Sequence, residues 1–246
     1  MSRPPQSGVP AAVLWSRTAR ALHAPGSVAG TLEAVAALAH SIVPGADFAG
    51  VTVLERDGAL QGRAATAPVV QELDRLQGEL GEGPCLEAAR ETTVLRIQDM
   101  DSERRWPGFA SHAKGLGIVS MISCTLAISR GPRASLNLHA ARRGAFDDEA
   151  AQLAAVYADQ AGLALSRALA VESLHRSMEG RQVIGEATGI LMERHRSGSE
   201  AAFAELVGAS QRLNVKLREI ALQVVRTGQE PGDLELRDFP DRPRQA

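Results

Sequence analysis

At 246 residues the chain has room for two domains, the first large enough for its own core. A net charge of −2 and a pI near 6.3 argue against a general affinity for nucleic acid or anionic membrane. Cys85 and Cys124 alone make no disulfide framework, and no apolar run reaches membrane-spanning length.

Residues 1–10 are Pro-rich without an apolar stretch, so they read as a disordered tail rather than a secretion signal, and a cytoplasmic location is expected. Helical patterns follow over 11–23 and 28–43, the second carrying Leu32, Val35, Ala36, Leu38 and Ala39 on one face. Val43-Pro44-Gly45-Ala46 is a break before a strand at 48–55. Arg56-Asp57-Gly58 makes a hairpin turn back through a strand at 60–66. A helix is predicted near 69–78. Further strands fall at 93–97, 119–128 and, after Arg130-Gly131-Pro132-Arg133, at 134–140, with a helix near 104–115 before the second of these. An antiparallel sheet with helices at both ends gives an α+β fold.

Asp147-Asp148-Glu149 then places acids in a first helical turn, and a proline-free helical stretch continues to about residue 178. At 1.5 Å per residue this is roughly 45–50 Å of helix. Its apolar residues Leu153, Val156, Tyr157, Ala161, Ala164, Leu165, Ala168, Val171, Leu174 and Met178 outnumber those needed to cover one domain. The expectation is a homodimer paired along 147–178, against the alternative of a helix lying only on its own sheet.

Three short helical patterns end the chain. Val183, Ile184, Ala187, Ile190 and Leu191 mark the first. Ser197 or Ser199 is the candidate cap of the second, which is expected to bury Ala202, Phe203, Leu206 and Val207. Asn214 is placed as N-cap of the third, with Leu217, Ile220, Ala221, Val224 and Val225 on its apolar face. Gly228 and Pro231 end it, and residues 229–246 read as a flexible tail. Helices this short must share one small core.

Ala187 and Gly189, Leu191-Met192, Ala202-Phe203, Leu206, Ser210, Asn214-x-Lys216-Leu217-Arg218-x-Ile220-Ala221 and Val224-Val225 resemble the ANTAR domain, an RNA-binding module of bacterial transcription antiterminators. Upstream, Gly45-Ala46-Asp47, Val51-Thr52-Val53, Gly81-Glu82-Gly83-Pro84-Cys85-Leu86-Glu87-Ala88, Asp99, Glu103-Arg104-Arg105-Trp106-Pro107, Leu136-Asn137-Leu138 and Phe146-Asp147-Asp148 resemble an actinobacterial GAF domain. The resemblance implies a GAF sensory domain over 11–170, a three-helix ANTAR domain over 171–228, and a signal passing from the first to the second. It further implies binding of paired small stem-loops in nascent RNA and promotion of antitermination. A small-molecule ligand of the GAF domain is implied in kind only, and no cofactor is identified.

Between residues 179 and 227 seven bases face six acids, too even a balance for indiscriminate phosphate binding. The charge is polarised, with Arg212, Lys216 and Arg218 around the turn into the third helix, where free backbone N–H groups also favour an anion. Asn214 either caps that helix or bonds a base edge. With the resemblance, the RNA-binding set is Ala187, Gly189, Arg194, Arg212, Asn214, Lys216 and Arg218. Phe203 is the only aromatic of the segment, so base stacking is not the expected mode.

Cys85, after Pro84 at a helix start, is either a stabilised, redox-sensing thiolate or a small buried filler; Cys124, inside an apolar strand, reads as core. The six histidines show no metal-ligand spacing, and dinucleotide, Walker and serine-hydrolase motifs are absent, so neither a metal site nor an enzyme is expected. Glu103-Arg104-Arg105-Trp106 reads as structural, with the Trp buried and one Arg paired with an acid. The remaining alternatives are a helix-turn-helix-like DNA-binding regulator and a GAF sensor acting through protein partners.

Overall fold

A computed structural model describes residues 11–24, 26–55, 57–91, 93–129 and 131–239. The expected tail at 1–10, Arg56 and Arg130 of the two hairpin turns, and residues 240–246 lie outside the described residues. The chain divides into two compact units, 1–172 and 173–246.

Period-two alternation builds the sheet of the first unit. Along β5 (Arg133–Ala140), Ala134, Leu136, Leu138 and Ala140 are buried in one core, while Ser135, Asn137 and His139 are buried on the other face. β5 pairs antiparallel with β1 (Phe48–Leu54) and β4 (Ser120–Leu126). With β2 (Leu60–Ala65) and β3 (Val94–Ile97) on the edges, the order is β2-β1-β5-β4-β3. α1 (Ala11–His23) precedes α2 (Val28–Ile42), whose Leu32, Val35, Ala36 and Ala39 join the apolar core. On the other face lie α3 (Pro68–Leu80), α4 (Pro84–Arg90) and α5 (Pro107–Gly115), around Leu73, Cys85, Trp106, Phe109 and Met121.

Helix α6 (Asp148–His195) begins where the Asp147 carboxylate accepts the Ala150 N–H at 2.8 Å. Ala150, Ala154, Tyr157, Ala158, Ala161, Ala164 and Leu165 close the apolar core, and the Tyr157 hydroxyl donates to the Val35 carbonyl at 2.9 Å. Gly162 is required there, because a Cβ would lie 2.7 Å from both N and O of Ala127. Val156, Leu163, Val171, Leu174 and Met178 stay exposed.

The helix expected to end near residue 178 and the first short helix of the C-terminal trio are one element. No proline interrupts α6, and the residue that follows it, Arg196, is left-handed at φ 51°. In the second unit the end of α6 packs with α7 (Ser199–Leu213) and α8 (Leu217–Thr227) around Ala187, Leu191, Ala202, Leu206, Ala209, Val215, Ile220, Ala221 and Val224.

Several local expectations fail here for identifiable reasons. Neither Ser197 nor Ser199 caps α7: the cap is Gly198, with no side-chain bond, because Ser197 precedes the cap position, its N–H closing α6 on the Met192 carbonyl at 3.2 Å, and Ser199 is already the first residue of α7. Asn214 does not cap α8. It terminates α7 in the left-handed region, φ 50° and ψ 40°, and the N-cap position falls on Lys216. Phe203 is 42 % exposed, since Ala202, Leu206 and Ala209 define the inward stripe and one residue's rotation carries Phe203 off it. The segment after Gly228 is no loose tail as far as residue 239. It forms 3₁₀ turns at Pro231–Asp233 and Leu236–Asp238, and Leu234 is fully buried in the helical core.

Candidate nucleic-acid interface

The residues assigned to RNA on sequence grounds separate into three groups. Ala187 is fully buried, so its side chain serves the core. Two arginines are occupied within the unit. Arg212 donates to the carbonyls of Pro231 (2.9 Å), Gly232 (3.0 Å) and Leu234 (3.2 Å), and so holds the folded-back segment. Arg194 pairs with Glu230 at 2.6 Å. This pairing and the neighbouring His195 hold the Glu230 carboxyl below its ordinary range.

The third group is exposed. Asn214, Lys216 and Arg218 follow one another around the α7–α8 turn, and none has a side-chain hydrogen bond or ion pair among the described residues. Ser210 stiffens this turn: its hydroxyl donates to the Val215 carbonyl at 2.6 Å, and its own carbonyl accepts the Val215 N–H at 3.1 Å. The alkyl part of Arg218 runs past buried Gly180, where a Cβ would stand 3.2 Å from Arg218 Cδ. The residue is exposed, and it belongs to the first turn of α8, whose amides lack helical acceptors. Gly189 is also exposed, in a shallow groove shared with Glu186, Ile190, Glu193, Arg194 and Val225.

The first unit buries a polar layer that the sequence reading missed. Thr52 and Ser135 hydroxyls lie 2.7 Å apart, Asn137 Nδ2 donates to Thr52 Oγ1 at 3.1 Å, and Ser123 donates to Asn137 Oδ1 at 2.9 Å. Ser135 donates to the Cys85 carbonyl at 3.1 Å. Gln77 clamps Cys85 twice, donating to Sγ at 2.8 Å and accepting the Cys85 N–H at 2.9 Å. Gly83 admits that clamp: at φ 138° it holds a conformation side chains rarely adopt, and a Cβ would strike Gln77 Oε1 at 2.3 Å. Burial pushes the Cys85 thiol well above its ordinary range, and nearby Asp74 adds to the shift. Of the two readings of Cys85, complete burial accords with the small buried filler: desolvation outweighs position at a helix start. Cys124 is buried too, and burial raises it to about 12.

Asp74 and His139 are buried, and among the described residues neither carboxylate oxygen nor either ring nitrogen has a partner. Burial raises Asp74 to about 8 and lowers His139 to about 3. Near the domain surface, Trp106 is buried, Arg105 pairs with Glu103 at 2.7 Å, and its guanidinium lies 4.3 Å from the indole centre.

These features define a protein of two domains: a sheet-and-helix domain with a polar interior, then a small helical domain with an exposed basic turn. The GAF domain family matches residues 26–166, and the ANTAR domain family matches residues 172–225. The chain belongs to the GAF domain family and carries an ANTAR domain after it. Both are regulatory domains. A comparison with curated proteins gives no match.

Among solved structures, the bacteriophytochrome RpBphP3 of the photosynthetic bacterium R. palustris is 13% identical over 83% of this chain and 48% of its own, with a TM-score of 0.55. The chromophore-binding domain of the same R. palustris protein is 13% identical, with 68% and 65% covered and a TM-score of 0.51. The GAF domain of an Acinetobacter phosphoenolpyruvate-protein phosphotransferase is 12% identical, with 66% and 96% covered and a TM-score of 0.50. These likenesses concern the fold. Among the described residues no helix is long and apolar enough to cross a membrane.

Proposed function

We propose that the chain is a GAF-governed transcription regulator whose ANTAR domain binds stem-loop RNA and promotes antitermination. The observation that supports this reading best is the exposed set Asn214, Lys216 and Arg218 on a turn stiffened by Ser210. Two cations beside free helix amides suit phosphates, and the carboxamide of Asn214 suits a base edge. The rest of the expected set contributes through the fold: Ala187 in the core, Arg212 and Arg194 in holding residues 230–234.

The protein acts as a homodimer through α6. Residues 170–179 of that helix are all exposed, Val171, Leu174 and Met178 among them. At 100° per residue Val156, Leu163 and Val171 of the first unit share an arc of roughly 80°, and Leu174 and Met178 of the second lie about 40° apart, each within the width of a helix-pairing stripe. Pairing presents two RNA surfaces, and linked weak sites gain affinity through effective concentration. A gel-shift competition tests the reading. An RNA with two short stem-loops displaces a labelled stem-loop RNA far better than duplex DNA of equal length does. Equal competition would return the helix-turn-helix alternative.

A further inference from the structure

Both ring nitrogens of His195 face a carboxylate. Nδ1 lies 3.4 Å from Glu205 Oε1 and Nε2 lies 3.1 Å from Glu230 Oε2. A neutral imidazole has one N–H, so one of these contacts sets a nitrogen lone pair against a carboxylate oxygen. A cation belongs between them, either a second proton or a metal ion. Glu230 is already aimed, since Arg194 Nη1 holds its other oxygen, Oε1, at 2.6 Å.

The spacing fits a metal. One ligand atom from each of the three residues falls within 4.8 Å of the others. Zinc bonds to imidazole nitrogen and carboxylate oxygen of about 2.0–2.2 Å give a tetrahedral edge of roughly 3.3–3.6 Å between ligand atoms. The Nδ1 to Glu205 separation, 3.4 Å, falls within that edge, and the Nε2 to Glu230 separation, 3.1 Å, lies just below it. All three side chains are about one-third exposed (35%, 37% and 32%), which leaves an entry path and a position for water.

We propose that His195, Glu205 and Glu230 form a binding site for one divalent first-row transition-metal ion of the zinc class. One imidazole nitrogen with two carboxylates is a donor set for zinc, cobalt or nickel rather than for calcium or magnesium. The ion takes one ring nitrogen and the carboxylate beside it, and the other glutamate turns about its own side-chain torsions to complete the set. His195 ends α6, Glu205 lies on α7 and Glu230 follows α8, so the ion ties together three segments of the ANTAR unit. A histidine spacing rule does not find this site, because its ligands come from positions 195, 205 and 230. The proposal stands independently of RNA binding.

The test uses the full chain stripped of metal with a chelator and titrated with Zn2+ by calorimetry, then with Co2+ by visible absorption. One ion per chain is expected. His195→Ala and, separately, Glu205→Gln weaken uptake at least about tenfold. Saturating Zn2+ raises the thermal midpoint of the unsubstituted chain but not of His195→Ala. Glu205→Gln, which keeps size and hydrogen bonding, carries the test if the alanine variant fails to fold. The proposal is overturned by absence of uptake up to millimolar Zn2+, by uptake that both variants leave unchanged, or by a cobalt–thiolate charge-transfer band placing the ion at a cysteine.

Discussion

Replacing Lys216 by Ala and Arg218 by Gln together removes the two bases of the α7–α8 turn that no partner among the described residues engages. Each phosphate neutralised contributes about 0.7 to 0.9 to the slope of log affinity against log salt. Losing two contacts therefore flattens that slope by about 1.4–1.8 per domain. At roughly 0.15 M salt each contact is worth about fourfold to fivefold in affinity, so the double variant loses about twentyfold. Fluorescence anisotropy with a labelled two-loop RNA across a series of KCl concentrations measures both quantities. Arg212→Gln is the informative control: its guanidinium already serves three carbonyls, so its slope stays that of the unsubstituted protein. An unchanged slope in the double variant would refute the assignment. So would a flattened slope in folded Arg212→Gln.

Arg212→Ala strands the carbonyls of Pro231, Gly232 and Leu234 and costs the helical unit about 1.5–3 kcal/mol, read as a lower urea midpoint for that unit. Gly162→Ala gains helix propensity worth about 1 kcal/mol but drives a methyl to 2.7 Å from Ala127 backbone, so scanning calorimetry finds a lower thermal midpoint for the first unit. Asp74→Asn removes a pH dependence. The folded chain keeps to about pH 8 a proton that the unfolded chain releases near 3.8, so above about pH 6.5, where His139 no longer opposes it, stability falls by roughly 2 kcal/mol up to pH 8, and urea midpoints at pH 7 and 8 converge in the variant. Leu174→Lys with Met178→Lys puts charge on the exposed α6 stripe, and sedimentation equilibrium then finds monomer where the unsubstituted chain is a dimer.

Elements of the first unit were legible because each carries its own punctuation. Asp57-Gly58 turns β1 into β2, Pro84 and Pro107 open α4 and α5, and Asp147 opens α6. Alternation in β1, β4 and β5 placed the apolar core, but it gave no account of the other face, where Thr52, Ser123, Ser135, Asn137 and His139 are buried. Period-two reading sends polar residues to solvent, and only tertiary cover from α3, α4 and α5 reverses it. In the second unit the helices were legible and their caps were not. Asn is favoured both as an N-cap and in the left-handed region, so Asn214, read as the start of α8, instead ends α7. The exposed basic set was visible as charge around that turn. Which bases were already spent was not, because the acceptors of Arg212 are backbone atoms of residues 231–234 and carry no side-chain signature.

Within the sheet domain, the groups able to change charge are not those that motif chemistry singles out. Cys85 lies at a helix start, yet full burial keeps it a thiol, with Gln77 donating to its sulfur. Asp74 and His139 have no such partners and respond in opposite senses. Folding raises Asp74 to about 8, so the folded state holds a proton that the unfolded chain loses. It lowers His139 to about 3 from 6.5, so the folded state lacks a proton that the unfolded chain takes up. From about pH 4 to 6.5 the two slopes cancel, because folding gains one proton and gives up another. Above about 6.5 the unfolded histidine is neutral as well, and Asp74 acts alone, withdrawing stability up to about pH 8. Below about 4 His139 acts alone. The side chain of this interior whose charge is open to change near neutrality is therefore Asp74 on α3, one helix away from the cysteine of the Gly-Pro-Cys motif.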